Sequence, residues 1–126
     1  MEFLLVFLGG GLGAAARHGV NLLSAQYPQV RFPVGTFCIN VLGSLAIGVL
    51  AEYFALRSQL PAHLRLFLIT GILGGFTTFS AFSLEVGLLY ERGETLAALV
   101  YAVGSVVCAV GAMFAGMALV RHWVAH

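Results

Sequence analysis

The segment Gly71 to Ser83 reads Gly-Ile-Leu-Gly-Gly-Phe-Thr-Thr-Phe-Ser-Ala-Phe-Ser and lies inside a long apolar stretch. Gly74-Gly75 is the pair most able to leave helical geometry, because glycine tolerates positive φ. Thr77, Thr78 and Ser80 follow, at a depth where polar groups are costly. Backbone that unwinds inside a bilayer persists only where protein buries it or where it lines a wet cavity. Carbonyls freed by such a break usually face a cation. The alternative is a flexible but continuous helix whose hydroxyls bond to their own backbone. Composition leaves both readings open.

Other residues could serve an anion. Phe79 and Phe82 are three apart and share a helix face. Their rings could pack against lipid or core, or could turn their positive edges toward a small anion of high charge density. Asn40 lies deep in an apolar stretch with Thr36 one turn before it. Its amide N–H is a donor suited to an anion, and equally suited to bonding another helix. Tyr101 and Ser105, four apart, offer a ladder of hydroxyl donors or a pair of interhelical bonds. Arg17 and Glu85 are the ionisable residues deepest in apolar sequence. A lone charge at such depth costs about 3 kcal/mol, so each must face a partner or a vestibule. They could pair structurally, or Arg17 could form a cationic entrance that concentrates anions.

These residues need elements to hold them. A helix crosses a bilayer core with about 20 apolar residues. Four stretches qualify, at about Phe3–Leu23, Val34–Leu56, Leu66–Leu89 and Leu96–Val120. The connections are short, and each holds charge and a helix breaker: Ser24 to Pro33 with Pro28 and Arg31, Arg57 to Arg65 with Pro61, Tyr90 to Thr95 with Gly93. The chain is therefore expected to form one four-helix transmembrane domain over residues 1–126. The apolar N-terminus after Met1-Glu2 lacks a positive leading region and is expected to be the first span, not a cleaved signal.

Composition agrees. The chain is 60% hydrophobic and 9% charged, against roughly 25% charged in soluble domains. Its mean hydropathy is +1.00, which a soluble fold this small could not hide from water. The net charge is +1 and there is no basic stripe, so nucleic acid is not an expected partner. Cys38 and Cys108 sit in apolar stretches and read as small, buried, reduced residues. His18, His63, His122 and His126 lack zinc-ligand spacing. Gly11, Gly13 and Ala16 fit a Gly-x-Gly-x-x-Ala pattern, but without a preceding strand it carries no dinucleotide reading. Gly9, Gly10, Gly11 and Gly13, then Gly43, Ser44 and Gly48, then Gly104, Gly111 and Gly116, mark faces where helices can approach closely in lipid.

The arginines are balanced. Arg57, Arg65 and Arg121 fall on one side of the four spans; Arg31 and Arg92 fall on the other, with Arg17 near that end of the first. Such balance gives almost no orientation preference and points to an antiparallel homodimer with one copy inverted.

Together these residues resemble the Fluc (CrcB) fluoride channel family. The likeness spans the chain: Gly-x-Gly-Ala-x-x-Arg at Gly11 to Arg17, Gly35-Thr36 through Asn40, and Gly74 to Ser83 with Glu85, the last stretch being the most specific. The resemblance implies an all-α, dual-topology antiparallel homodimer with a broken third helix and two pores along the subunit interfaces. It implies a structural, central Na⁺ held by the backbone carbonyls of Gly74 and Thr77 from both copies. It also implies that Phe79 and Phe82 line the pores with Asn40 as donor, that Tyr101 and Ser105 fall on a hydroxyl track, and that Thr36 and Glu85 lie near its entrance. Ser80 belongs to the same polar set, and Arg17 to the vestibule. Ala109 stands where a further track hydroxyl is sometimes found. The implied role is passive export of fluoride across the bacterial inner membrane, with lipid and a second copy of the chain as partners.

Two other readings fit part of the pattern. A small dual-topology multidrug or cation transporter needs a mid-membrane carboxylate, whereas the first span holds Arg17 and Glu85 comes late in the third. A non-conducting membrane assembly subunit would explain the small residues but not Asn40 beside the Gly-Thr-Phe segment. No catalytic pair, activated nucleophile or phosphate loop is evident, so no enzyme activity is expected.

Overall fold

The computed structural model of the chain describes residues 1–26, 32–57 and 61–125. Pro28 and Arg31 of the first connection, and His126, lie outside the described residues. The fold is all-helical: α1 (Glu2–Ala25), α2 (Val34–Leu56), α3 (Ala62–Arg65), a π-helical segment (Leu66–Leu73), α4 (Gly74–Phe76), α5 (Ser80–Glu91) and α6 (Thr95–Ala125). Four stretches are long and apolar enough to cross a membrane: Glu2–Ala25, Val34–Leu56, Ala62–Glu91 and Thr95–Val124. Large apolar side chains cover the outside, Phe3, Phe7, Leu12, Val107 and Leu119 among them. A surface of that kind belongs against lipid or another apolar surface.

Close backbone contact decides the packing, because lipid supplies no hydrophobic drive between helices. One seam joins α1 to the third span. A Cβ on Gly9 would meet the Phe67 carbonyl and the Gly71 Cα, one on Gly13 would collide with the Ile72 carbonyl, and one on Gly75 with the Gly10 carbonyl. A second seam runs between α2 and α6, which lie parallel. There Gly48 faces the backbone of Met113, and Gly116 faces Leu45 and Val49. Toward its C-terminal end, Arg121 Nε donates to Glu52 Oε1 at 3.0 Å. Gly11, Gly104 and Gly111, expected at close approaches, meet nothing within 4 Å in this chain; their faces are open. Cys38 is half-buried and Cys108 is exposed rather than buried, because α6 turns that position outward.

The third span is composite. Its π-helical run, with i→i+5 bonding, is an uncommon geometry that is frequent at functional sites. The chain then leaves helical geometry over Thr77–Phe79, with Thr77 at φ −82°, ψ 157°. The departure is not at the glycine pair. Gly74 keeps right-handed helical dihedrals of −61° and −38°, and Gly75 is needed small because Gly10 presses on it. α5 ends in a Schellman turn, with Gly93 N donating to Tyr90 O and Glu94 N to Leu89 O. Gly93, at φ 82°, is the only positive-φ residue among those described. Its lack of a Cβ is what admits this turn. The turn folds α5 onto α6 around Leu89, Ala98 and Tyr101, with Phe32, Phe37 and Phe82 packed against them.

Candidate functional site

Once the helix lapses at Thr77, the backbone groups around it must find new partners. Thr77 bonds locally, its N–H and its hydroxyl both donating to the Leu73 carbonyl at 3.0 Å. Thr78 is held from α2. Its N–H donates to Asn40 Oδ1 at 2.9 Å, and Asn40 Nδ2 donates to the Thr78 carbonyl at 3.0 Å. The side-chain amide thus replaces both halves of a lost backbone ladder. From α1, Arg17 Nε donates to the Gly75 carbonyl at 3.1 Å. Ala81 N donates to Thr78 Oγ1 at 3.2 Å, just after the start of α5.

These diversions have a precise remainder. The i+4 donor for the Gly74 carbonyl is Thr78 N–H, which goes to Asn40. The i+4 donor for the Thr77 carbonyl is Ala81 N–H, which goes to the Thr78 hydroxyl. Among the described residues, no backbone donor outside the regular helices reaches either oxygen. The two carbonyls expected to face a cation are therefore among those that the local bonding leaves over, together with that of Phe76. Hard cations prefer such oxygens, so these carbonyls are of the chemistry that could help hold Na⁺.

Beside the break is an open cavity of about 380 Å³. It brings together Asn40, Gly74, Thr77, Phe79, Phe82 and Ser105, and is otherwise mostly apolar; Thr78 and Ala109 also line it. The Phe79 and Phe82 rings lie 5.6 Å apart and tilted by 47°. Phe79 is 77% exposed in this single chain. Ser105 is buried, and its hydroxyl has no hydrogen-bond partner among the described residues. A buried hydroxyl left unpaired is a rare expense.

Thr36, Glu85 and Tyr101 form a second polar group nearby. Thr36 Oγ1 and Tyr101 Oη donate to the two carboxylate oxygens of Glu85, the latter at 3.1 Å. Tyr101 is fully buried between the Phe32 and Phe82 rings, each 5.1 Å away. Phe82 thus touches both this group and the cavity. Arg17 and Glu85 do not pair with each other; each finds the partner just named. Ser80 is exposed, its hydroxyl 3.4 Å from that of Thr78. Sequence reasoning missed the two-bond clasp on Thr78, the Gly75 carbonyl as partner of Arg17, and Phe32 as the ring on Tyr101. Asn40 within reach of an unwound segment was the one available signal for the first.

Comparison with known proteins agrees with the resemblance. Residues 4–117 match the family of CrcB-like proteins, Camphor Resistance (CrcB). A Nitrobacter hamburgensis protein, fluoride-specific ion channel FluC 2, is 58% identical over 122 residues, covering 97% of this chain and 98% of its own. Fluoride-specific ion channel FluC of Rhodopseudomonas palustris is 56% identical over 121 residues, covering 96% and 98%. The namesake from Granulibacter bethesdensis is 57% identical over 121 residues, covering 96% and 95%. With four apolar helices of spanning length, these bacterial relatives make the chain a multi-pass protein of the bacterial cell membrane. A match over nearly the whole chain means that this protein belongs to the CrcB family.

Proposed function

We propose that the chain is a passive, fluoride-selective ion channel that lets F⁻ leave the cytoplasm, working as an antiparallel dual-topology homodimer with two pores. The observation that carries this reading is the Ser105 hydroxyl, buried and unpartnered, lining one cavity with the Asn40 amide and the Phe79 and Phe82 rings. The names of the relatives supply the ion.

Fluoride is small and strongly hydrated, so it enters a narrow path only where donors stand in for its water. Ser105 offers an O–H. Asn40 uses one amide N–H on Thr78 and keeps the other. The ring edges of Phe79 and Phe82 add positive rims that bind no proton and repel cations. Selectivity then follows from pore size and donor field. Glu85, with Thr36 and Tyr101 donating to it, and Ser80 form the polar approach. Arg17 stands in the vestibule, with the outer nitrogens of its guanidinium free of any hydrogen bond to the described residues. No step requires a proton or a nucleotide, so the flow is downhill.

The dimer follows from incompleteness. One chain supplies two carbonyl oxygens to the cation position, whereas cations of this kind take about six oxygen ligands. The carbonyls of Gly74 and Thr77 in a second, inverted copy would double the set. Na⁺ held there would supply fixed positive potential and tie the two broken helices together. The exposure of Phe79 and the open face at Gly104 and Gly111 are consistent with a second copy covering them.

The test is ion efflux from liposomes holding the purified protein. Fluoride is expected to leave rapidly and chloride to stay. Equal release of both, or retention of fluoride, would overturn the reading. Proton-driven export of a cationic dye would instead favour a transporter. Phe79→Leu is expected to cut fluoride flux strongly while the dimer persists; unchanged flux would take Phe79 out of the pore.

A further inference from the structure

Arg17 is the one described α1 side chain with a hydrogen bond beside the break, and its contact there is specific. The donor is Nε, not the outer fork, and the acceptor is the Gly75 carbonyl, 58 residues away in sequence, at 3.1 Å. Gly75 sits in the α1 seam, where Gly10 leaves no space for a Cβ. In sequence its carbonyl falls between those of Gly74 and Thr77. Its own helical donor would be the N–H of Phe79, a residue that has left the helix. The break is therefore closed from two sides: Asn40 on α2 takes both backbone groups of Thr78, and Arg17 on α1 takes the carbonyl just before it.

We propose that Arg17 is a positioning residue whose Nε–H caps the Gly75 carbonyl and so holds the unwound Thr77–Phe79 backbone in its working geometry, separately from any charge it lends to the vestibule. The proposal rests on the reading of the break as the working part of a channel, but its test does not use ion flow. Side-chain geometry separates the two roles. In glutamine, the terminal Nε2 falls where arginine has Nε, so Arg17→Gln keeps the donor and removes the charge. In lysine, a methylene falls at that place, so Arg17→Lys keeps the charge and moves the donor one bond further out.

The readout is hydrogen–deuterium exchange of the dimeric protein in lipid nanodiscs, followed on peptides covering residues 74–83, with peptides from α6 as the internal control. A cap of this strength corresponds to about tenfold in local opening. Arg17→Lys is expected to exchange about tenfold faster than the parent over 74–83, with α6 unchanged, and Arg17→Gln to stay within about threefold of the parent. Parent-like protection in Arg17→Lys would overturn the proposal. So would a Gln variant as unprotected as the Lys variant, because the charge would then be what matters. Should Arg17→Lys lose protection throughout, the Gln variant decides alone: protection retained over 74–83 supports the cap, and protection lost there overturns it. Fluoride efflux of the parent is recorded separately, so a failed channel reading and a failed cap give different results.

Discussion

Replacing Asn40 tests how the unwound segment is held. Asn40→Ala removes both bonds to Thr78 and leaves one N–H and one C=O of the backbone without partners. Each orphaned backbone group costs about 1 to 3 kcal/mol when it is buried, so the pair costs about 2 to 6 kcal/mol. Thr78 lines the open cavity, and water there can replace part of the loss. The expected destabilisation therefore lies near the lower bound, about 2 to 3 kcal/mol, or at least about thirtyfold in the unfolding equilibrium. Asn40→Asp discriminates further. It keeps an acceptor for the Thr78 N–H but sets a second oxygen against the Thr78 carbonyl, so it should be worse than the loss of one bond alone. Reversible unfolding by denaturing detergent, read by tryptophan fluorescence from Trp123, measures both variants against the parent, and liposome efflux follows in parallel. If Asn40→Ala unfolds within about 0.5 kcal/mol of the parent, the clasp contributes nothing and the account of the break is wrong.

Gly75→Ala should destabilise by at least about 1 to 3 kcal/mol, since the added carbon meets the Gly10 backbone, which cannot move aside alone; a parent-like melting temperature would contradict the α1 seam. Ser105→Ala should leave stability unchanged or slightly higher, because the hydroxyl has no partner to lose, while fluoride efflux falls; unchanged efflux would remove this hydroxyl from the path. Exchanging Na⁺ for a large organic cation should lower the melting temperature of the purified dimer, and Thr77→Pro, which deletes the N–H bond to Leu73, should abolish that difference; no Na⁺ dependence in the parent would argue against a cation at Gly74 and Thr77.

The spans were legible because hydropathy and length suffice. Val34–Leu56 has the expected bounds, and the other three run beyond theirs by one to five residues at an end. Those overruns involve residues such as Glu2, Glu91 and Arg121, which hydropathy trims but helix bonding keeps. Gly9 and Gly13 were legible as a packing face for a related reason, since their spacing is a property of one helix. What escaped depends on two elements at once. Glycine freedom pointed at Gly74-Gly75, yet seam packing holds Gly75 in the helix, and the lapse falls three residues after Gly74, where Asn40 can receive the backbone. Arg17 looked like an entrance charge because nothing in α1 betrays a carbonyl 58 positions later. The π-helical run has no compositional mark at all.

The Gly93 turn does more than reverse the chain. It fixes the rotational phase of the last helix against the one before it, and so determines which α6 residues face Glu85 and the cavity. One residue added there would swing α6 by about 100°, taking the Tyr101 hydroxyl off its carboxylate and aiming Ser105 at acyl chains. The phase of α6 is thus set at a corner between two apolar spans, and length at this corner should be under tighter constraint than the identity of its polar neighbours.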